Sequence, residues 1–84
     1  MIDINKATNT EVGSVTPASE DTSATITLQR NITSRPIIFV TVISEQLLNY
    51  NTSYDEVNNS FIINLESGQN FVDGDTVNYL IVYL

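Results

Sequence analysis

Two pairs of adjacent carboxylates, Glu20-Asp21 and Asp55-Glu56, are the residues of this 84-residue chain best suited to acid–base chemistry. Paired carboxylates hydrolyse glycosides when an apolar pocket keeps one of them protonated. Both pairs lie in polar loop sequence that offers no such pocket. A hydroxyl nucleophile needs a neighbouring base, but the chain has no histidine, and Lys6 stands alone near the N-terminus. We therefore expect no catalytic residue and no enzymatic activity.

The segment Asp73-Gly74-Asp75 is the candidate for binding a hard cation, because closely spaced carboxylates supply the oxygen ligands that calcium prefers. A calcium loop also needs further oxygen ligands at fixed offsets and a closing Glu, which the following residues do not supply. Asp-Gly between apolar runs is instead a strong turn signal. The sequence has no cysteine either, so we expect a plain turn here, no metal site and no cofactor.

The charge balance excludes several partners. Three basic residues, Lys6, Arg30 and Arg35, stand against ten acidic ones, which gives a net charge of -7. Nucleic acid and anionic membranes are therefore poor partners, since cationic side chains supply most of the affinity for phosphate. No apolar run approaches the roughly 20 residues of a membrane-spanning helix. Residues 1–20 also lack a basic head followed by an apolar run, so we expect no secretory leader and no glycan on the acceptor-like triplets at Asn31, Asn51 and Asn58.

The pattern of the elements predicts an all-β chain, a small antiparallel β-sandwich of about six strands. No window keeps a helical apolar period, whereas short alternating runs recur about every ten residues, which is typical of sandwiches. We expect residues 1–22 to form an N-terminal arm or edge strand that could act as a docking segment. Residues 23–84 are expected to form the sandwich domain.

Individual strands can be assigned faces from their alternation. Ala24, Ile26 and Leu28 are expected to point into the core, as are Phe61, Ile63 and Leu65. Pro36 is expected to open a strand, where its missing N–H costs least. Residues 47–50 are expected to form a short strand followed by a long loop.

Two runs, residues 36–43 and 76–84, are apolar on both faces. We expect Ile37, Phe39 and Ile43 to fill the core from the first run, and residues 77, 79, 81 and 83 to share one side of the second. The surplus aliphatics would each contribute about 1.5–3 kcal/mol if they were buried. Self-association is the simplest way to cover them, and the expected contact residues are Ile38, Val40, Val42, Leu80, Val82 and Leu84.

The order of elements from Ala24 to Leu84 resembles the C-terminal β-modules of bacteriophage fibres and related virion proteins, including those similar to the H-type lectin domain. An alternating strand (residues 24–28) leads through Arg35-Pro36 into a central strand (residues 37–42) and a long Asn-rich loop. Ser60-Phe61 then opens the next strand, and the last strand carries Tyr79 near its middle.

The resemblance implies a six-stranded antiparallel sandwich that assembles as a trimer or hexamer. It further implies a virion structural protein, either a capsid-decoration subunit or a head- or tail-fibre component, assembled in the host cytoplasm and in contact with other virion proteins. The first 20 residues would dock it to the particle or continue the sheet.

An alternative is a carbohydrate-binding, lectin-like module for glycans on the host surface. Tyr50, Asn51, Tyr54 and Asn58 combine aromatic rings with amides in the predicted long loop. Rings stack on sugars and amides bond their hydroxyls, so these four residues are the glycan-binding candidates. A domain of a bacterial adhesin is a third possibility.

Overall fold

The computed structural model describes residues 9–30 and 34–84 and contains six β-strands and no helix in these residues. The strands are β1 (Thr10–Val15), β2 (Ser23–Thr27), β3 (Ile37–Ile43), β4 (Tyr50–Asp55), β5 (Ser60–Leu65) and β6 (Thr76–Val82).

The six strands form two three-stranded antiparallel sheets that pack face to face. The first sheet has the order β1-β6-β3, and the second has the order β2-β5-β4. The all-β antiparallel sandwich expected from the sequence is confirmed. Residues 10–15 belong to it as an edge strand, while the part of the expected arm in residues 1–8, including Lys6, lies outside the described residues, as does the triplet at Asn31.

A single apolar layer between the sheets forms the core. Ile26, Ile63 and Ile81 are almost completely buried there, and the other fully buried large side chains are Phe61, Phe71 and Val77. The inward faces expected for residues 24, 26 and 28 and for residues 61 and 63 are confirmed. Pro36 is buried and directly precedes β3, as expected.

Phe71 is a core residue that lies in no strand. It is 0% exposed although it stands in the long connection between β5 and β6. Its backbone N–H donates to the Asp21 carbonyl and its carbonyl accepts from the Glu20 N–H, both at 2.8 Å. Phe71 therefore closes one end of the core and pins two loops together.

The expected position of the fourth strand is wrong. The strand begins at Tyr50 instead of ending there, and a tight turn over residues 56–59 joins it to β5. Residues 51–55 read as polar loop because their outward side chains are Asn, Ser and Asp. Thr52 and Tyr54, which pair with Ile63 and Phe61, still give this strand an inward face.

The expected faces of β3 are also wrong. Ile38, Val40 and Val42 pack against the core, whereas Ile37, Phe39 and Ile43 are 45%, 59% and 53% exposed. The pairing with β6 sets this orientation, because Ile38 lies opposite the inward Ile81 and Val42 opposite the inward Val77. A strand that is apolar on both faces contains no alternation that could choose between them.

Gly13 leaves the space that the Tyr79 ring occupies. The two residues lie opposite each other on the inner side of the first sheet. A Cβ at position 13 would stand 2.7 Å from Tyr79 Cζ, closer than van der Waals contact allows. The glycine that interrupts the first strand in the sequence thus admits an aromatic side chain from the neighbouring strand.

We expect Gly13→Ala to lower the free energy of unfolding by about 1–3 kcal/mol, because the new methyl group overpacks the site. In a Tyr79→Leu background the same change should cost less than half as much, since the ring that it meets is gone. Urea unfolding of the double-mutant cycle measures both values, and Ser14→Ala serves as the control. An undiminished cost in the Tyr79→Leu background would contradict the proposed clash.

Candidate interaction surface

The outer face of the first sheet is built of three cross-strand rows that can be read from the register. Two rows are largely apolar, Thr10–Val82–Ile37 and Val12–Leu80–Phe39, and the third, Ser14–Asn78–Thr41, is polar. Val12 and Ile37 are each 45% exposed. None of the outward residues of β1, β3 and β6 carries a charge.

The outer face of the second sheet has the opposite character. Its rows are Ser23–Asn64–Asn51, Thr25–Ile62–Ser53 and Thr27–Ser60–Asp55. The Asn64 amide donates to Asn51 Oδ1 at 3.3 Å and to Ser53 Oγ at 3.1 Å, so these three outward side chains bond to one another. The apolar surplus of the chain is therefore concentrated on the first sheet.

The residues expected to mediate self-association divide into two groups. Leu80, Val82 and Leu84 do not contribute to the core, and Leu84 is 75% exposed. Ile38, Val40 and Val42 face the protein's own core, so their assignment to the outward side is corrected. The outward residues of β3 are Ile37, Phe39, Thr41 and Ile43, and the three apolar ones lie beside Val82, Leu80 and Thr76.

A shallow depression lies in the outer face of the first sheet. It has a volume of about 450 Å³ and lies among Val12, Ser14, Phe39, Thr41, Asn78 and Leu80. The ring of Phe39, more than half exposed, stands at its rim. The face thus carries a protruding aromatic group and a recess side by side.

Negative charge is concentrated toward one end of the sandwich. The three connections at that end, residues 16–22, 44–49 and 66–75, are held together by backbone bonds such as Glu66 N–H to Asn49 O at 2.9 Å. We call this the acidic end because it carries six carboxylates and neither of the described arginines, its carboxylates being Glu20, Asp21, Glu45, Glu66, Asp73 and Asp75. Arg30 and Arg35 lie in the connection at the opposite end.

Glu11 attaches the edge strand β1 to the end opposite the acidic one. The Tyr83 hydroxyl donates to Glu11 Oε1, and the Gln29 N–H donates to the same oxygen at 3.3 Å. The Arg30 guanidinium covers the Tyr83 ring at 4.7 Å from its centroid. Burial raises the pKa of Tyr83 to about 12, and the bonded Glu11 carboxylate contributes to this rise.

The four glycan-binding candidates do not form one cluster. Tyr54 packs on Phe61 with ring centroids 4.9 Å apart and donates its hydroxyl to Asn59 Oδ1 at 3.3 Å. The Arg35 guanidinium lies over its ring, so Tyr54 belongs to the wall of the core. Asn58 lies in the turn after β4, where its amide donates to Asp55 Oδ2 at 2.7 Å. Hydrogen bonds from the side chain and from the backbone N–H of Asn58 lower the pKa of Asp55.

Tyr50 and Asn51 lie at the other end of β4, about 13 Å from Tyr54 by the rise of an extended strand. The Tyr50 hydroxyl donates to the Val40 carbonyl of β3 at 3.3 Å, which links the two sheets at their edge. Tyr50 also lines a depression of about 190 Å³ together with Asn49, Asn51 and Glu66. Only two of the four candidates are therefore brought together.

The carboxylates weighed for chemistry serve as turn-forming groups. Asp21 Oδ2 accepts from the Ala18 N–H at 3.1 Å, and Asp55 Oδ1 accepts from the N–H groups of residues 57 and 58. Asp75 is buried, and its Oδ2 accepts from the Val72 N–H at 3.0 Å. Within residues 9–30 and 34–84, no group of three acidic, His or Cys side chains is placed to hold a metal ion.

The sequence did not identify Phe39 as an exposed aromatic residue on the outer face of the first sheet. It also did not identify Phe71 as a core residue. No alternation could have identified Phe39, since both of its strand's faces are apolar. The signal for Phe71 was available, because it is the one aromatic in the polar stretch 66–75.

No family model, curated protein or solved structure matches the chain.

The part of the chain that the structure describes contains no helix long and apolar enough to cross a membrane.

We expect the free energy of unfolding to fall as the pH rises from about 10 toward about 12. The sign follows from the raised pKa of Tyr83. Unfolded tyrosine loses its proton near pH 10, whereas the folded hydroxyl still holds it, so rising pH favours the unfolded chain. Tyr79, whose pKa is also raised by burial, acts in the same direction.

Urea unfolding at pH 8, 10 and 11 measures this decline. Tyr83→Phe should lower stability at pH 8, because the bond to Glu11 is lost, and should make the decline above pH 10 shallower. Equal slopes in the two proteins would contradict the assignment to Tyr83.

Proposed function

We propose that the protein is a structural module that works by self-association through the outer face of its first sheet, as a component of a bacteriophage virion. The observation that carries the self-association is the uncharged, largely apolar character of this face in a chain of net charge -7. The virion assignment rests on the family resemblance of the sequence.

Burial energetics support association. Phe39, Ile37 and Val12 leave about half of their surface in water, and full burial of such side chains contributes about 1.5–3 kcal/mol each. Single exposed apolar residues are common on soluble proteins, but a contiguous apolar patch is typical of an interaction site. Here the patch crosses all three strands of the sheet.

The charge distribution favours a second copy of this chain as the occupant. Two copies of net charge -7 repel each other wherever their carboxylates approach. The outer face of the first sheet is a surface on which like-charged copies can meet without bringing charges together. A cationic partner would be drawn instead to the acidic end.

The size of the face bears on the number of copies. Three strands of six or seven residues cover roughly 14 Å by 23 Å, about 300 Å² in projection. A stable interface normally buries about 800 Å² on each partner. A closed assembly in which every copy makes more than one contact supplies the difference, which suits the trimer or hexamer that the resemblance implies.

Within a virion, such a module would act as a capsid-decoration subunit or as part of a head or tail fibre. Its other partners would be virion proteins contacted outside the self-association face. An acidic surface also opposes non-specific clumping, which suits a protein present at high local concentration.

We expect Phe39→Asp to weaken self-association about 5- to 30-fold or more, because association would bury only the exposed 59% of this side chain, which contributes roughly 1–2 kcal/mol. The monomer should stay folded, since Phe39 is 59% exposed within it. Sedimentation velocity measures the association, and circular dichroism checks the fold.

The matched control is Thr25→Asp, which places the same charge on an exposed strand position of the second sheet. It should leave association unchanged. Equal behaviour of the two variants would exclude the first sheet as the contact.

Glycan binding remains a second candidate because of the depression beside Tyr50. One aromatic ring, two amides and a carboxylate converge there, and these groups can stack on a sugar and bond its hydroxyls. Tyr54 and Asn58 have no part in this arrangement.

If glycans bind there, Tyr50→Ala should abolish binding on a glycan array, while Tyr50→Phe should retain most of it because the stacking ring is kept. Self-association should be unaffected by both changes. An array on which the unmodified protein binds nothing, or on which Tyr50→Ala binds normally, would remove this candidate.

A further inference from the structure

Resting on the self-association proposed above, we propose that two copies meet through the outer faces of their first sheets in an inverted arrangement. A two-fold axis perpendicular to the strands relates the pair, and the two acidic ends point in opposite directions. The partner at this face is thus a second copy in one defined orientation.

The first observation behind this orientation is the off-centre position of the apolar rows. The rows through Leu80 and Val82 lie toward the end that carries Arg30 and Arg35. The polar row through Asn78 lies toward the acidic end, and beyond it Ile43, paired with Thr76, is the one outward apolar residue of these strands on that side. Copies that overlap only through their apolar rows leave both polar rows at the margins of the contact.

The second observation is the charge of the acidic end. Five of its carboxylates are exposed, and neither described arginine is there to offset them. Two copies pointing the same way would bring these groups side by side. An inverted pair overlapped through its apolar rows separates the acidic ends by more than about 40 Å, several times the roughly 8 Å Debye length.

The third observation is that the face can complement itself. A two-fold contact joins identical patches, so each feature must fit its own copy. With the axis perpendicular to the strands, β3 of one copy lies opposite β3 of the other. With the axis between the rows of Leu80 and Val82, Phe39 of each copy lies opposite Ile37 of the other, so an exposed ring packs on an exposed aliphatic side chain twice in the pair.

The arrangement limits the copy number. Inverted pairs build a dimer, or a hexamer made of three such pairs. They do not build a three-fold ring in which all copies point the same way through this face. Of the trimer and the hexamer considered above, only the hexamer can be built from inverted pairs.

Spin-label distances test the orientation, and the absence of cysteine in the sequence allows one label per chain. Val57→Cys and Ser67→Cys place labels in the turns before and after β5. Because β5 belongs to the second sheet, both labels stand away from the proposed contact. Pulsed electron–electron double resonance on each full-length variant gives the distance between the labels of two copies. Dilution with unlabelled protein verifies that the signal is intermolecular.

In the inverted pair the Ser67 labels, near the acidic end, should be at least about 10 Å farther apart than the Val57 labels, given the length of a strand. Equal distances, or a longer Val57 distance, would overturn the inversion while leaving self-association intact. A sample that sediments as a monomer and gives no intermolecular signal would overturn self-association and the inversion with it.

Discussion

The structure depends on the burial of one apolar layer between two three-stranded sheets. Every strand contributes alternate side chains to this layer, and the largest of the buried residues, Phe61, Phe71, Ile26, Ile63 and Ile81, have almost no contact with water. The chain has no disulfide, so stability has to come from this layer and from the hydrogen bonds of the sheets. A chain of this size buries only about 60% of its unfolded surface, so each fully buried side chain matters.

The same constraint explains the asymmetry of the two outer faces. The second sheet turns Ser, Thr and Asn outward, and Asn51, Ser53 and Asn64 among them bond to one another. The first sheet turns out aliphatic and aromatic residues as well, although its inner side already fills the core. Most charged residues lie in the connections, mainly at the acidic end, and the two in described strands, Glu11 and Asp55, do not belong to this outer face, which is neutral. The surplus apolar surface is therefore a property of one face, which gives the molecule a direction for assembly.

Much of the fold could be predicted from the sequence, because clean alternation in residues 24–28 and 61–65 and the Asp-Gly turn before β6 determine faces and boundaries. The face of β3 could not be predicted, since both sides are apolar and only the register with Val77 and Ile81 decides between them. The predicted position of β4 was wrong because its outward residues are of types that are common in loops.

The sequence predicts that an apolar strand surface is left over for self-association, but it identifies only some of the residues of that surface. Leu80 and Val82 lie on the outer side with no core role, as the alternation of β6 implies, while Phe39 takes the place assigned to Val40. Of the glycan candidates, Tyr54 was misread because its ring contacts Phe61 from a strand that the sequence did not reveal. The face of β3 and the position of the Tyr54 ring both depend on which strands pair. The local sequence pattern carries no information on that pairing.

Sedimentation equilibrium of the unmodified chain at micromolar concentration tests the central claim most directly. The expected mass is that of two or more whole copies of the 9.3 kDa chain, and it should not change with ionic strength, because the contact is apolar and uncharged. A single species of 9.3 kDa across the whole concentration range would show that water covers this face in the native protein, and would contradict the account.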